Sequence, residues 1–287
     1  MKMILIDFIK LTKPKLLLLV LITTVSGFYL GSEGILDTRL MIITLIGTTF
    51  VAAGALVLNQ YIERDIDAIM KRTKNRPLPD GRLEAKSALI FGLTLAMAGL
   101  FINFVFVNTL TGTLAVISMV SYLLVYTPMK TKSAFCIVIG AVPGALPVAG
   151  GWVAASGSFD QGALILFAIL FFWQIPHSLA IAWLYKSDYE KAGMRLLPDS
   201  YPGDNATGHQ VLINTTALLP IGLMPSILGM TGHLHFFAAL MLGAIFALYA
   251  AKFAMNQSVP SAKKLLYASY LYIPFQLGIM SFDRISY

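Results

Sequence analysis

The residues best suited to chemistry stand at helical spacing where the second long apolar segment ends. Asn59, Glu63 and Asp67 are four residues apart, so at about 100° per residue they span only about 80° of a helix circumference. An amide and two carboxylates would therefore point the same way. Two neighbouring carboxylates repel unless a cation lies between them, and hard oxygen ligands with room for water suit Mg²⁺ bound to a diphosphate.

Basic residues follow the acidic helix end directly. Arg72 and Arg76 precede Pro77, and an arginine can hold phosphate oxygens with two parallel hydrogen bonds. Two simpler interpretations remain open. Membrane topology alone would place arginine and lysine in this connection, and the two acids could pair with Arg64, Lys71 or Arg72 as a solvated ion-pair face.

A second cluster of acids and bases follows the sixth apolar segment. Asp188 could supply a further metal oxygen, and Lys186, next to Tyr185, could contact a diphosphate. The alternative is a solvated interfacial loop that is anchored by its tyrosine and lysine side chains. His177 lies inside the preceding span, where a polar side chain is costly and tends to face a cavity.

Between these two regions the sequence combines aromatic, basic and small residues. Tyr126 and Lys130 precede a span that carries Gly140, Pro143 and Gly144 among other glycines and prolines. Such a helix should kink, and it would allow the close approach of a neighbouring helix or of a flat, bulky ligand. Ordinary small-residue packing between Gly140 and Gly144 explains the pattern equally well.

The elements that position these residues must be helices in lipid. The chain has 287 residues, only 12% of them charged, and a mean hydropathy of +0.76, whereas soluble domains are about 25% charged. A net charge of +7 would suggest nucleic acid on a soluble protein, but membrane topology explains it, and no nucleic-acid partner is expected. The single cysteine, Cys136, excludes a disulfide framework or a cysteine metal site.

The apolar segments predict an all-α membrane protein with nine transmembrane helices in a single domain over residues 1–287. The first apolar run continues into this pattern, so we interpret it as a span and not as a cleavable signal peptide. The spans are predicted near residues 15–32, 41–61, 87–107, 110–127, 133–151, 162–184, 210–229, 233–252 and 265–281.

The basic residues predict the orientation. Lysine and arginine accumulate in cytoplasmic loops. With nine spans, nineteen of the 21 lysine and arginine residues lie on one face, in the N-terminal segment and the alternate connections. Only Arg39 and Arg284 lie outside these segments. We therefore expect a cytoplasmic N-terminus. The acids concentrate in the two longest connections of the same face, at residues 62–86 and 185–209, so the active site is expected to face the cytoplasm.

These motifs resemble the UbiA superfamily of prenyltransferases. The resemblance rests on residues 59–77, on residues 126–152, on the turn at 176–178 and on residues 188–198, and it extends over about residues 13–214. Within the superfamily, the motifs are most similar to those of the branch that farnesylates protohaem IX. The resemblance implies transfer of a farnesyl group from farnesyl diphosphate to a haem vinyl group, in a bacterial-type inner membrane.

The resemblance also implies a role for each motif residue. Asn59, Glu63, Asp67 and Asp188 would form the catalytic metal site that holds Mg²⁺ on the diphosphate. The diphosphate oxygens would be neutralised by Arg72, Arg76, Lys130 and Lys186. The remaining substrate contacts would come from Tyr122, Tyr126, Trp183 and Tyr185, with His177 orienting the haem. Partners implied in this way are the lipid bilayer and haem A synthase or terminal oxidase assembly proteins.

Two departures from the family pattern affect the interpretation. Glu63 stands where aspartate is usual, and its longer arm should still reach a magnesium ion. Ala192 stands four residues after Asp188, where quinone-type members usually carry a second acid, and this departure favours haem as the acceptor. The alternatives are a related enzyme that prenylates a quinone precursor or other ring, and a transporter, although a transporter would place its polar groups near the bilayer midplane.

Overall fold

The structure is a computed structural model that describes residues 2–32, 36–197 and 205–285, so Pro198 of the resemblance lies outside the described residues. The ranges contain eleven helices that organise the fold. These are α1 Lys2–Leu11, α2 Pro14–Gly31, α3 Thr38–Ile69, α4 Ala85–Val107, α5 Thr109–Met129, α6 Cys136–Ser156, α7 Gln161–Leu184, α8 Lys186–Lys191, α9 Ala206–Ile227, α10 His233–Asn256 and α11 Val259–Phe282.

Nine of the helices within the described ranges, α2–α7 and α9–α11, are long and apolar enough to cross a membrane. The prediction of an all-α membrane protein with nine spans is therefore confirmed, and the chain is a multi-pass membrane protein. Helix α1 was not predicted. It precedes the first span and exposes Leu5, Ile6 and Ile9, as a helix lying along a membrane surface would.

Two helix ends differ most from the predicted membrane segments, by eight and six residues. Helix α3 continues to Ile69, eight residues beyond the predicted limit at 61, because its polar residues are buried against the protein and not released into a loop. The connection to α4 therefore starts at Met70 and not at Ile62. Helix α11 starts at Val259 instead of 265, since Ser258 caps it and Pro260 occupies its first turn.

Small residues allow the spans of the first half to pack closely. A Cβ atom on Gly54 would lie 2.6 Å from the backbone nitrogen of Ala96, and one on Gly99 would lie 2.5 Å from that of Val51. Helices α2 and α6 meet in the same way at Gly27. Because lipid provides no hydrophobic force between helices, close backbone approach of this kind is a main source of membrane helix packing.

Two spans contain a π-helical segment. The first, Asn103–Val107, ends α4, and the second, Ser121–Tyr126, precedes the last turn of α5. Such wide turns are rare and occur mostly at functional sites. Here both segments turn side chains toward the interior of the bundle, with Tyr126 at one level and Asn103 at another.

The connection between α3 and α4 is anchored to the rest of the protein. Leu78 and Leu83 are buried in a small apolar core with Leu11, at the end of α1. Arg82 also donates to the Asp7 carboxylate of α1 at 2.6 Å. The connection is thus held in place, and the basic residues that it carries have defined positions.

Candidate active site

The three predicted ligands on α3 are buried. Asn59, Glu63 and Asp67 are exposed by only 1%, 5% and 1%. On the same helix, the side chain of Asp65 is 84% exposed and pairs with Arg64 at 3.7 Å. A solvated ion-pair face therefore exists, but Glu63 and Asp67 are not part of it. A carboxylate buried to this extent needs a cation or hydrogen-bond donors close by.

Each buried acid has a cation from a distant part of the chain. Lys130 Nζ donates to Glu63 Oε1 at 2.7 Å, and Arg76 Nη1 donates to Asp67 Oδ2 at 2.5 Å. Lys130 follows α5 directly, whereas Arg76 belongs to the connection between α3 and α4. The structure thus brings together four of the residues predicted for the site, from three separate segments.

Asn59 is oriented by the second π-helical segment. Thr127 Oγ1 donates to the carbonyl of Tyr122 at 2.8 Å and accepts from Asn59 Nδ2 at 3.0 Å. This arrangement uses the amide nitrogen of Asn59, so its carbonyl oxygen is left as an acceptor for a cation. Thr127 was missed by the sequence analysis, because its role depends on a π-helical segment that leaves no pattern in the sequence.

Lys130 remains charged in spite of its burial. Its ammonium group lies 4.5 Å from the centre of the Tyr126 ring, in a cation–π geometry. Burial alone would lower the pKa of Lys130, but Tyr126 and the Glu63 carboxylate outweigh it and raise that pKa above its ordinary value. Lys130 therefore supplies a positive charge beside the acids.

The connection after α3 joins the two acidic motifs. The Arg72 backbone nitrogen donates to Asp188 Oδ2 at 3.4 Å, and Thr73 Oγ1 donates to the carbonyl of Asp67 at 2.8 Å. Asp188 is 9% exposed. Consecutive residues thus bind both motifs, so Asp67 and Asp188 lie on the same side of the bundle, at one site.

Lys13 joins the site although the sequence analysis did not select it. It lies half-buried between α1 and α2, in the left-handed backbone region at a φ of 48°. Burial, Arg76 and Lys130 lower the pKa of Lys13 to about 7, while Glu63 and Asp67 raise it. The charged groups that act on Lys13 are those of the site, so Lys13 lies within electrostatic range of them. A single lysine before Pro14 gives no spacing signal, and topology seemed to explain it.

Arg72, Tyr185 and Lys186 lie at the rim of the site. The Arg72 guanidinium carbon is 5.3 Å from the centre of the Tyr185 ring. Lys186 Nζ is 3.8 Å from Glu190 Oε1 and 6.0 Å from the Trp183 ring centre. Lys186 and Glu190 are partly exposed, so their pairing is a surface contact that a ligand could replace at little cost.

His177 is directed toward α11 and not toward the acids. Its Nδ1 lies 2.8 Å from Ser269 Oγ, and its ring stacks on Trp173 and meets the edge of Tyr270. None of the described contacts joins His177 to the residues on α3. The structure therefore does not bring His177 together with the rest of the predicted site.

A cavity of about 320 Å³ opens beside the charged residues and extends between α2, α3, α5, α6 and α7. Tyr122 and Tyr126 stack at 5.6 Å and form part of its wall. Gly140 and Gly144 also line it, where any side chain would clash with the Tyr126 ring or the Gln174 amide. These glycines therefore make room for side chains of α5 and α7 and do not bring two helix backbones into contact.

The charges of the site favour an anionic ligand. Four basic residues (Lys13, Arg72, Arg76 and Lys130) accompany three carboxylates (Glu63, Asp67 and Asp188). In the part of the chain that the structure describes, no three histidine, cysteine or acidic residues are grouped closely enough to hold a metal alone. Oxygen donors in this number fit a hard cation such as Mg²⁺ that takes its other ligands from a bound phosphate and from water.

Comparison with known proteins places this arrangement in a family. Residues 20–273 match the UbiA prenyltransferase family. Protoheme IX farnesyltransferase from Solibacter usitatus is 40% identical over 97% of this chain and 98% of its own length. The protein of the same name from Aquifex aeolicus is also 40% identical, over 97% of this chain and 95% of its own.

Solved structures share the fold at much lower identity. A digeranylgeranylglyceryl phosphate synthase has a TM-score of 0.81 and 19% identity, with 99% of both chains covered. A UbiA homologue from Archaeoglobus fulgidus, solved with DMAPP and Mg²⁺, has a TM-score of 0.68 and 15% identity over 96% of this chain and 99% of its own. From the family match and the full-length relatives together, the chain belongs to the UbiA prenyltransferase family and, within it, to the protohaem IX farnesyltransferases.

Proposed function

We propose that this protein transfers the farnesyl group of farnesyl diphosphate to a vinyl group of protohaem IX, giving haem O and diphosphate. One observation carries the proposal: buried oxygen ligands and their partner cations lie beside a largely apolar cavity, next to Tyr126, which contacts Lys130 and lines the cavity. That combination suits a substrate with a highly charged head and a long hydrocarbon tail. The names of the full-length relatives support haem as the acceptor.

The basic residues would bind and stabilise the leaving group. As the bond between the first farnesyl carbon and the diphosphate oxygen breaks, negative charge grows on the diphosphate, and fixed cations in a water-poor site stabilise it. The ion pairs of Arg76 with Asp67 and of Lys130 with Glu63 support this assignment. Lys13, Arg72 and Lys186 would complete the binding site for the head.

The aromatic residues would protect the allylic cation. Tyr122 and Tyr126 present their rings to the cavity next to the charged residues, where a ring face can stabilise a positive charge. The allylic carbon then forms a bond with the terminal vinyl carbon of the haem. Water adds to the resulting cation as a hydroxyl group and gives its proton to the released diphosphate, which balances the reaction.

We include Mg²⁺ in the proposal, with Asn59, Glu63, Asp67 and Asp188 as the residues that would hold it. When bound, Mg²⁺ supplies Lewis-acid stabilisation to the departing diphosphate. The Archaeoglobus fulgidus homologues, solved with Mg²⁺ and either DMAPP or GPP, support this part of the proposal. A cation would also release Lys130 and Arg76 from the acids, so that both could turn to the diphosphate.

The same proposal covers location and partners. The distribution of basic residues supports a cell membrane location, inner in a bacterial-type envelope, with the site facing the cytoplasm. The product has to reach proteins that use a lipid-tailed haem. Haem A synthase and terminal oxidase assembly proteins are therefore the proposed partners.

The test is an assay of the purified protein in detergent with Mg²⁺, farnesyl diphosphate and protohaem IX. We expect haem O by mass spectrometry and diphosphate in equal amount. Asp67→Asn should abolish most of both signals, because the carboxylate is lost from the buried site. Asp65→Asn is the matched control on the same helix, and it should keep the activity of the unmodified protein because Asp65 is exposed.

Two results would contradict the proposal. If the protein ignores protohaem and consumes 4-hydroxybenzoate, the acceptor is wrong although the chemistry is related. If Asp67→Asn retains full activity, the buried acids are not the site.

A further inference from the structure

The cavity has an end that is far from the charged residues. Thr48 of α3 lines it eleven residues before Asn59, and a rise of about 1.5 Å per residue puts these two levels roughly 16 Å apart. Asn103 also lines the cavity and lies against Gly47, next to Thr48, and Thr111 lines it from the first turn of α5. Elsewhere along this length most lining side chains are apolar or small, such as Val51 and Ala115.

Asn103 and Thr111 each carry an unpartnered polar atom at this end. Asn103 is 1% exposed and Thr111 is 4% exposed, yet Asn103 Oδ1 and Thr111 Oγ1 have no hydrogen-bond partner among the described residues. Buried polar atoms of this kind are rare in proteins. Two of them at one end of an otherwise apolar cavity indicate a polar ligand between the helices.

The first π-helical segment explains why Thr111 lacks the usual partner. Other threonines in these spans donate to the carbonyl four residues earlier, as Thr44 does to Leu40 and Thr113 to Thr109. Residue 107 ends the π-helical segment Asn103–Val107, and the chain at Asn108 is extended. Thr111 therefore has no helical carbonyl four residues before it, and its hydroxyl can form a hydrogen bond with a molecule in the cavity.

The side chain of Asn103 is held in place, and its amide oxygen can still accept a hydrogen bond. Its Nδ2 donates to the carbonyl of Gly99 at 2.9 Å, and its amide lies against Gly47, where a Cβ would come within 2.8 Å of Oδ1. The side chain thus already packs against α3, and this contact and the bond to Gly99 hold it in place. Its oxygen stays at the cavity end, as an acceptor without a donor.

We propose that Asn103 and Thr111 hold a water molecule at the far end of the cavity. This hydrated end, called the floor, limits the length of the prenyl chain. This inference rests on the proposed function in assuming a prenyl diphosphate substrate. A water molecule held by Asn103 Oδ1 and Thr111 Oγ1 satisfies both atoms and ends the apolar part of the cavity. An extended farnesyl chain measures roughly 14 Å, since its carbon–carbon bonds are about 1.5 Å long and alternate in direction, so it fills the cavity down to this floor.

A longer chain is rejected for a physical reason. The fourth isoprene unit of geranylgeranyl diphosphate must displace the water, and it then leaves two buried polar atoms without partners. Sites that leave polar groups unpaired discriminate strongly against the wrong substrate. The floor therefore sets an upper limit on length, whereas shorter chains lose only apolar contact.

The test measures binding, so that it does not depend on haem. Geranyl, farnesyl and geranylgeranyl diphosphates are titrated into the purified full-length protein with Mg²⁺ by calorimetry. We expect farnesyl diphosphate to bind at least about 10-fold more tightly than geranylgeranyl diphosphate. Thr111→Val removes the hydroxyl and keeps the shape, and it should reduce this ratio to about 3-fold or less. Thr113→Val on the same helix is exposed, and it is the matched control that should keep the original ratio.

Asn103→Leu is the second variant and should shift the ratio in the same direction. If the unmodified protein binds the two longer diphosphates equally, or if neither variant changes their ratio, the floor is overturned. If the variants shift the ratio but no haem O forms in the turnover assay, the floor stands and the proposed acceptor fails.

Discussion

Polar side chains are buried at both ends of the bundle, and the two groups differ in charge and in the space beside them. The site cluster consists of Lys13, Asn59, Glu63, Asp67, Arg72, Arg76, Lys130 and Asp188. The opposite cluster consists of Ser226, Thr231, His235, Gln276 and Asp283, where α9, α10 and α11 meet. Each cluster contains fully buried polar residues, such as Asp67 in the first and His235 in the second, so burial alone does not identify which of them binds a substrate.

The opposite cluster satisfies most of its own polar atoms, and Gln276 Oε1 is the exception without a partner among the described residues. His235 is fully buried, and its Nδ1 lies 2.8 Å from Ser226 Oγ and 2.9 Å from Thr231 Oγ1. Its Nε2 lies 3.0 Å from Gln276 Nε2, and its backbone nitrogen donates to Asp283 at 2.8 Å. In the described part of the chain, none of these residues lines the 320 Å³ cavity. Short hydrogen bonds between mainly neutral groups thus join α9, α10 and α11.

The site cluster, in contrast, buries its carboxylates beside cations that are only partly buried. Its ion pairs are close, and a cavity adjoins them through Tyr126, which contacts Lys130. Cations that stay partly accessible can bind a further anion with charge-assisted hydrogen bonds. The comparison teaches that accessible charge beside open space indicates a site, whereas mainly neutral groups bonded to one another away from the cavity indicate structure.

The largest expected effect tests this comparison at Asp67. Asp67→Ala should reduce kcat/KM for haem O formation by about 10²–10³-fold, the cost of losing one preorganised electrostatic contact. It also leaves the Arg76 guanidinium without its buried partner. His235→Ala should keep kcat/KM within about twofold, since the opposite cluster touches no substrate. Equal losses in the two variants would contradict the distinction between the clusters.

The next largest effect is expected at Lys13. Its variants test whether the charge of this side chain contributes to the binding of diphosphate. Lys13→Met keeps the length of the side chain and removes its charge, so we expect the affinity for diphosphate to fall by about 10-fold. Lys13→Arg should recover most of that affinity. Titration of inorganic diphosphate with Mg²⁺ by calorimetry measures both. Lys15→Met is the matched control, because Lys15 is exposed on the neighbouring turn, and an equal loss there would refute a specific role for Lys13.

The transmembrane helices could be predicted from the sequence, whereas the opposite cluster could not. Nine spans follow from nine apolar runs, because lipid forces the backbone to bond within each segment. Glu63 and Asp67 were placed on one helix face by spacing alone. Their burial was not predicted, since it depends on Lys130 and Arg76 arriving from elsewhere. His235 gave no signal, because its partners lie far apart in the sequence.

Two further features could not be predicted for a local reason. The π-helical segments at 103–107 and 121–126 replace ordinary helix within apolar runs, and no residue type marks them. They set the partner of Thr127, whose hydroxyl donates to the carbonyl five residues back, and they leave Thr111 without a helical carbonyl four residues before it. Sequence periodicity therefore identifies which helix a residue belongs to but not which hydrogen bonds remain free.

Substitutions in the opposite cluster should lower the stability of the protein, whereas substitutions in the site cluster should lower its activity. His235→Ala leaves Ser226 and Thr231 with fewer partners in a buried place, and losing such contacts costs about 1–3 kcal/mol each. We expect a lower midpoint in thermal unfolding in detergent, with the kcat of the folded fraction unchanged. His233→Ala, at the first position of the same helix, is the control and should leave the midpoint where it is.

The smallest effect is expected at Asp283, which bonds to the first turn of α10 from the end of α11. Its carboxylate accepts from the backbone nitrogen of His235 at 2.8 Å, so it serves as a cap supplied by another helix. Replacing a capping residue by alanine costs about 0.5–2 kcal/mol, and Asp283→Asn should recover most of this because its oxygen still accepts. Thermal unfolding of the two variants measures the difference. An Asp283→Ala protein as stable as the original would show that α10 is held by packing alone, and that the opposite cluster is a consequence of the fold and not a support for it.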